Sequence, residues 1–314
     1  MAGRATIRGS MMALAAGLAA GAGAPSLADT ASRLVPFIWC GRPVEVQDFP
    51  WQVAVTTRRA GVEYSCGGAV ISDTAILTAA HCVTHSGSVQ PVATVDVTVR
   101  AGSTWRLDSI PQSVARVIVH DGWRGATEPD GRDMGIDAAV LILSKPLANA
   151  RPIPIRTAPV VTPLGPGVVA GWGLYGEGPQ LASRLLGGEV AIIPAAECRT
   201  LIPGTRVGSV SDHNVCTRSD MVVQCAGDSG GPLVIGSTAQ PQLVGIASWK
   251  LGRGCEFTGT THVGVFAGAA TLAGFVQRHA PAARTTQDPP VQFSLWPRGR
   301  PESRYCASRK GEWI

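Results

Sequence analysis

Short stretches in which apolar and β-branched residues alternate or run together recur along most of this chain. They fall at 51–57, 64–72, 75–79, 93–101, 113–119 and 138–143, and then at 167–172, 188–193, 213–217, 231–235, 242–249 and 262–267. Val, Ile and Thr dominate them and glycine or polar turns divide them, the pattern of antiparallel strands packed against a core. Between the two sets lies a proline-rich connector holding Pro146, Pro152, Pro154, Pro159, Pro163 and Pro166, which reads as a strap between halves. Six runs on each side predict an all-β fold of two antiparallel six-stranded β-barrels, with halves at about 38–150 and 160–270. Past Ala267 the spacing of Leu272, Phe275 and Val276 predicts a C-terminal helix within 270–278. From Pro281 onward Pro289, Pro290, Pro297 and Pro301 accumulate, and this composition predicts an irregular tail over 281–314.

Composition changes this picture little. The chain has 314 residues, 45% hydrophobic and 16% charged, an ordinary globular balance that argues against disorder for most of it. Its net charge of +5 comes from the ends, because residues 38–280 carry eighteen basic and eighteen acidic side chains. The central region therefore has no electrostatic footprint for nucleic acid or for a membrane surface. At the N-terminus Arg4 and Arg8 precede an apolar run over 11–20 and small residues ending at Ala28, the layout of a secretory signal peptide over 1–28. A membrane anchor is the alternative, but the run is short for a span. Eight cysteines in an exported chain read as four disulfides in an oxidising compartment, with 105 pairings open.

The densest chemistry lies in Gln224-Cys225-Ala226-Gly227-Asp228-Ser229-Gly230-Gly231-Pro232-Leu233. A serine in a glycine-lined turn after an aspartate can have backbone amides crowded around a reacting oxygen. On its own this could equally be a flexible loop. A nucleophilic serine needs a general base and a group that orients the base. Candidates stand in Leu77-Thr78-Ala79-Ala80-His81-Cys82 and in Ile136-Asp137-Ala138-Ala139-Val140-Leu141-Ile142-Leu143. Taken singly, His81 would be a packed histidine and Asp137 a turn or capping carboxylate; the roles require one another.

With these three stretches in this order, from about Ile38 to about Ala280, the chain resembles the trypsin/chymotrypsin-like serine peptidases. The resemblance implies that Ser229 attacks the carbonyl carbon, that His81 takes its proton, and that Asp137 orients His81. The amides of Gly227 and Ser229 would form the oxyanion hole, and Ser248-Trp249 would support the aspartate and line the substrate groove. It further implies activation by cleavage before Ile38, whose new amino group would pair with Asp228. Residues 29–37 are then a pro-segment and 38–280 the peptidase domain. Two residues depart from the pattern here: Phe37 stands where a basic residue usually marks the cut, and Cys40 replaces a glycine. Implied disulfides are Cys66 with Cys82, Cys198 with Cys216 and Cys225 with Cys255. A further family bridge is missing at both ends, near Gly167 and Ile235, which leaves Cys40 and Cys306 as a pair strapping the tail to the domain.

In the family that the chain resembles, the residue six before the nucleophile lies at the base of the primary pocket, and an aspartate there selects Arg or Lys; this chain has Val223, which argues against trypsin-like cleavage. The resemblance places the pocket walls, usually glycines, at Lys250 and Gly264. If the Lys250 ammonium reaches solvent, small or medium apolar residues are preferred; if it turns inward, acidic ones are. His85, His120, His213, His262 and His279 read as surface or structural. No metal site or cofactor is expected: residues 102–108, where the resemblance places the loop that binds calcium in some relatives, lack paired acidic ligands, and the His and Cys residues lack zinc spacing. The expectation is thus a secreted, extracellular or periplasmic, monomeric serine endopeptidase that acts on proteins or peptides and is released by an activating protease. It binds neither nucleic acid nor membrane. The rival is a catalytically silent binding homologue, with activation or substrate entry blocked at residues 37, 40 or 250.

Overall fold

The computed structural model describes residue 38 and residues 41–125, 135–174, 180–220, 222, 224–251, 255 and 261–287. The signal stretch 1–28, the segment 29–37, Val223, the tail beyond Gln287 and the pair Cys40 and Cys306 lie outside the described residues.

A two-residue strand β1 (Arg42–Pro43) leads into the first barrel. That barrel consists of β2 (Gln52–Arg59), β3 (Val62–Ser72), β4 (Ala75–Thr78), β5 (Val97–Ala101), β6 (Gln112–Val119) and β7 (Ala139–Leu143), with the one-turn helix α1 (Ala80–Val83) directly after β4. The β2–β3 hairpin turns through Ala60 and Gly61, whose φ angles are 47° and 80°. Positive φ at both central residues gives the tight turn whose twist matches right-handed strands. Pairing closes the ring in the order β2, β3, β4, β7, β6, β5, and Val53, Val55, Ile76, Leu77, Val99 and Leu141 are sealed from solvent. The predicted run 93–101 is strand only over Val97–Ala101, because Thr94–Asp96 coils into a 3-10 turn.

The connector contributes a short strand β8 (Ile155–Arg156). The second barrel follows with β9 (Gly165–Gly171), β10 (Leu186–Pro194), the helix α2 (Ala195–Leu201), β11 (Asn214–Ser219), β12 (Pro232–Gly236), β13 (Pro241–Lys250) and β14 (His262–Gly268). Its order is β9, β10, β11, β14, β13, β12, and β12 returns to β9 through Leu233 opposite Val169 and Val234 opposite Val168. The architecture is therefore two closed six-stranded antiparallel barrels. Helix α3 (Ala269–His279) closes the domain with Leu272, Phe275 and Val276 buried, the face read from the sequence.

One detail positions the site. Gly67 of β3 and Gly231 meet where the barrels touch: a Cβ on Gly67 would lie 2.9 Å from the Gly231 Cα. Only glycine permits that backbone approach. The described start of the tail is less irregular than its composition suggests, for β15 (Thr285–Thr286) pairs in parallel with β8. The amides of Ile155 and Thr157 on that open edge need acceptors, and the carbonyls of Arg284 and Thr286 supply them at 2.9 Å each.

Because Leu141 is wholly buried at the centre of β7, Leu141→Ala in a Ser229→Ala background is expected to lower unfolding free energy by about 2–5 kcal/mol. Urea titration measures it, and an unchanged midpoint would contradict this account of the first barrel's core.

Candidate active site

The turn from β4 into α1 sets His81 at the rim of the first barrel, and Asp137 stands two residues before β7, the strand beside β4. Neighbouring strands thus deliver both groups to one edge. The His81 amide donates to Asp137 Oδ1 at 2.9 Å, and His81 Nδ1 lies 2.7 Å from Asp137 Oδ2. Asp137 is 2% exposed. Burial alone would push its carboxyl pKa up, but the adjacent His81 and the hydrogen bonds from His81 and Ser248 outweigh this and hold it below the ordinary carboxylate range.

Ser248 comes from the second barrel. Its hydroxyl donates to Asp137 Oδ2 at 2.6 Å. The register between β13 and β14 slips between Ala247 and Trp249, so Ser248 is the extra residue of a bulge. A bulge turns one side chain out of the strand's alternation, and here it aims the hydroxyl across the seam.

Ser229 lies in the turn before β12, partly exposed. The turn is tied down by its backbone: the Ser229 carbonyl accepts from Gly67 N–H at 2.7 Å, and Gly230 N–H donates to Ala247 O at 2.8 Å. Gly230 has φ of 79°, and a Cβ there would fall 2.3 Å from Thr78 Oγ1. His81 and Ser229 share a neighbour in Cys82, whose Sγ is 3.8 Å from His81 Nε2 and 3.6 Å from the Ser229 carbonyl oxygen. Cys82 is bonded to Cys66 of β3, which fixes α1 to the barrel wall.

Asp228 is also 2% exposed, and its surroundings differ from those of Asp137. Oδ1 accepts from Gly173 N–H at 2.8 Å and Oδ2 from Cys225 N–H at 2.9 Å. Cβ atoms on Gly171 and Gly173 would come within 2.1 and 2.4 Å of the carboxylate, so the two glycines form its cradle. Burial raises its pKa to about 6, only partly offset by the two amides. Ile38 is 1% exposed with φ of 37°, an unfavourable backbone for a β-branched residue.

On the pocket side, Lys250 pairs with Gly264 across β13 and β14, and Cys225 is bonded to Cys255. Cys198 is bonded to Cys216 beneath α2. Lys250 is half buried, and burial pushes its ammonium pKa down. A Cβ on Gly264 would approach Thr217 Oγ1 at 2.7 Å, Gln224 Oε1 at 3.0 Å and Phe266 Cε2 at 3.1 Å. Thr217 and Gln224 were not singled out in the sequence, although each follows or precedes a disulfide cysteine by one residue. Among the described residues the cluster with metal-like spacing is Cys66, His81 and Cys82, and its two sulfurs are spent on each other. No helix among the described residues is long and apolar enough to cross a membrane.

Solved structures with this fold include HL collagenase, which superposes with a TM-score of 0.62 at 23% identity, covering 77% of this chain and 97% of its own. In sequence the chain is similar to trypsin delta and trypsin gamma of Drosophila erecta, each 34% identical over 245 residues, covering 76% of this chain and 87% of theirs. The family model for Trypsin matches residues 38–276. The chain belongs to the trypsin family, and it is a serine endopeptidase.

The Asp228 carboxyl gives a signed pH dependence in the uncleaved chain. Its folded pKa, about 6, lies above the unfolded value of 3.8. The stabilisation by the bound proton is complete below the unfolded value and is lost as pH rises through the folded one. Asp228→Asn should therefore gain stability relative to the parent as pH goes from 4 to 7, by on the order of 3 kcal/mol at most. Melting temperatures of the uncleaved pair measure this; parallel curves across that range would contradict it.

Proposed function

We propose that Ser229, His81 and Asp137 carry the peptidase chemistry, and the observation that carries this reading is the double hydrogen bond between His81 and a buried Asp137, with Ser229 across Cys82. Ser229 Oγ attacks the carbonyl carbon of the scissile bond as His81 Nε2 takes its proton. His81 then gives that proton to the leaving amine, and water hydrolyses the acyl-enzyme by the same route. Asp137 holds the imidazole with Nδ1 protonated and stabilises its cationic form. Negative charge on the tetrahedral oxygen falls to the amides of Gly227 and Ser229, where loss of one donor typically costs ~10² to 10³ in turnover. Gly227 has φ of 99°, and a side chain there would meet Leu181 and the Gly173 Cα within 3 Å.

Removal of residues 1–28 on export and cleavage before Ile38, by an activating protease, complete the reading. Two observations support the second cut. The buried Asp228 carboxylate has only backbone amides as hydrogen-bond partners among the described residues, so a new ammonium group would relieve its burial. The strained φ of Ile38 also exists only while residue 37 is attached. The product is a secreted monomer acting on protein substrates, with no nucleic-acid or membrane partner.

Its specificity is for small or medium apolar residues before the scissile bond and is not trypsin-like, as Val223 in place of a pocket carboxylate supports. One observation favours a second reading, cleavage after acidic residues: Lys250 is half buried, and a poorly hydrated ammonium gains most from an anionic side chain.

The test is digestion of a diverse peptide mixture by the processed protein, with Ser229→Ala and Lys250→Ala beside it and every cut sequenced. Cuts absent with Ser229→Ala, preceded by apolar residues and retained with Lys250→Ala, are the expected result. Cuts after Asp or Glu that vanish with Lys250→Ala would replace the apolar reading. Identical digestion by Ser229→Ala would overturn the assignment of the nucleophile.

A further inference from the structure

We propose that Arg59 is a positioning residue of the proteolytic reaction, its guanidinium clamping the turn that carries His81; the proposal rests on the reading of His81 as the general base. Helix α1 is four residues long and has no side-chain cap at its N-terminus. One turn of helix has little stability of its own, and its last carbonyls have no partner within it. Arg59 Nη2 donates to two of those carbonyls, His81 O and Cys82 O, at 2.6 Å each. A single NH₂ group with two hydrogens meets two neighbouring acceptors.

The arginine is itself held in place. It is the last residue of β2, paired with Val62, and the tight Ala60-Gly61 turn fixes where its side chain starts. Its guanidinium carbon stands 4.9 Å from the centroid of the Tyr64 ring, which packs the cation from one side. Burial pushes its pKa down, with Tyr64 opposing, and its Nε is buried with no hydrogen-bond partner among the described residues. An arginine placed for solubility would leave that group in water.

The backbone of His81 is thus gripped at both polar ends. Its N–H is held by Asp137 and its C=O by Arg59. This fixes the Cα–Cβ direction from which the imidazole reaches Ser229, where a displacement of about 1 Å can cost roughly a hundredfold in rate.

The experiment compares Arg59→Met and Arg59→Lys with the parent, all processed, recording kcat and KM on one peptide substrate together with melting temperature. Arg59→Met should lower kcat roughly 10- to 100-fold with KM within about twofold. Arg59→Lys, which keeps a cationic donor, should recover part of kcat. The clamp is overturned if Arg59→Met keeps the parent's kcat. It is equally overturned if KM rises in step with the loss of kcat, or if that loss follows the fall in melting temperature and lysine rescues nothing. Full turnover in His81→Ala would overturn the reading of His81 together with the clamp, whereas an inactive His81→Ala beside an indifferent Arg59→Met overturns the clamp alone.

Discussion

A carboxylate sealed from water at the seam between two barrels is the constraint around which this molecule is arranged. Burying the Asp137 charge unpaired would be strongly unfavourable. Three donors compensate it: the His81 amide, the His81 ring and the Ser248 hydroxyl. Two come from the first barrel and one from the bulge in the second, so the ion that orients the imidazole also fastens the halves together. The neighbouring backbone is closely fitted, with Gly67 against Gly231 and the Ser229 carbonyl on the Gly67 amide.

Asp228 is buried to the same extent, yet its pKa moves the opposite way. Asp137 has a basic ring and a hydroxyl beside it and is held low; Asp228 has two amides and is raised to about 6. Two aspartates of equal burial are thus distinguished by what donates to them. In the proposed activation the first is complete from the outset, and the second is completed only by an ammonium group from the cut chain.

Much of this was legible in the sequence because the features concerned are local. Period-two runs of Val, Ile and Thr mark strands wherever they end up, and a glycine-lined Asp-Ser turn restricts the backbone whatever surrounds it. The helical face of Leu272, Phe275 and Val276 is local in the same sense. What the sequence did not disclose depends on pairing between distant segments. That Ser248 is the extra residue of a bulge follows from the register of β13 against β14. Arg59 acquires its partners only once α1 is folded beside the β2–β3 hairpin, and Thr285–Thr286 becomes a strand because the amides on the edge of β8 need acceptors. Thr217 and Gln224 likewise converge on Gly264 through strand geometry that no spacing along the chain announces.

The most direct test of the central claim, that this arrangement activates Ser229, is reaction of the processed protein with a fluorophosphonate, followed by mass spectrometry of the labelled peptide. The account predicts a stoichiometric adduct on Ser229 alone, formed quickly in the parent and greatly slowed in His81→Ala and Asp137→Asn. A protein with its N-terminus at Ile38 that leaves Ser229 unlabelled, or labels it equally fast without His81, would contradict it.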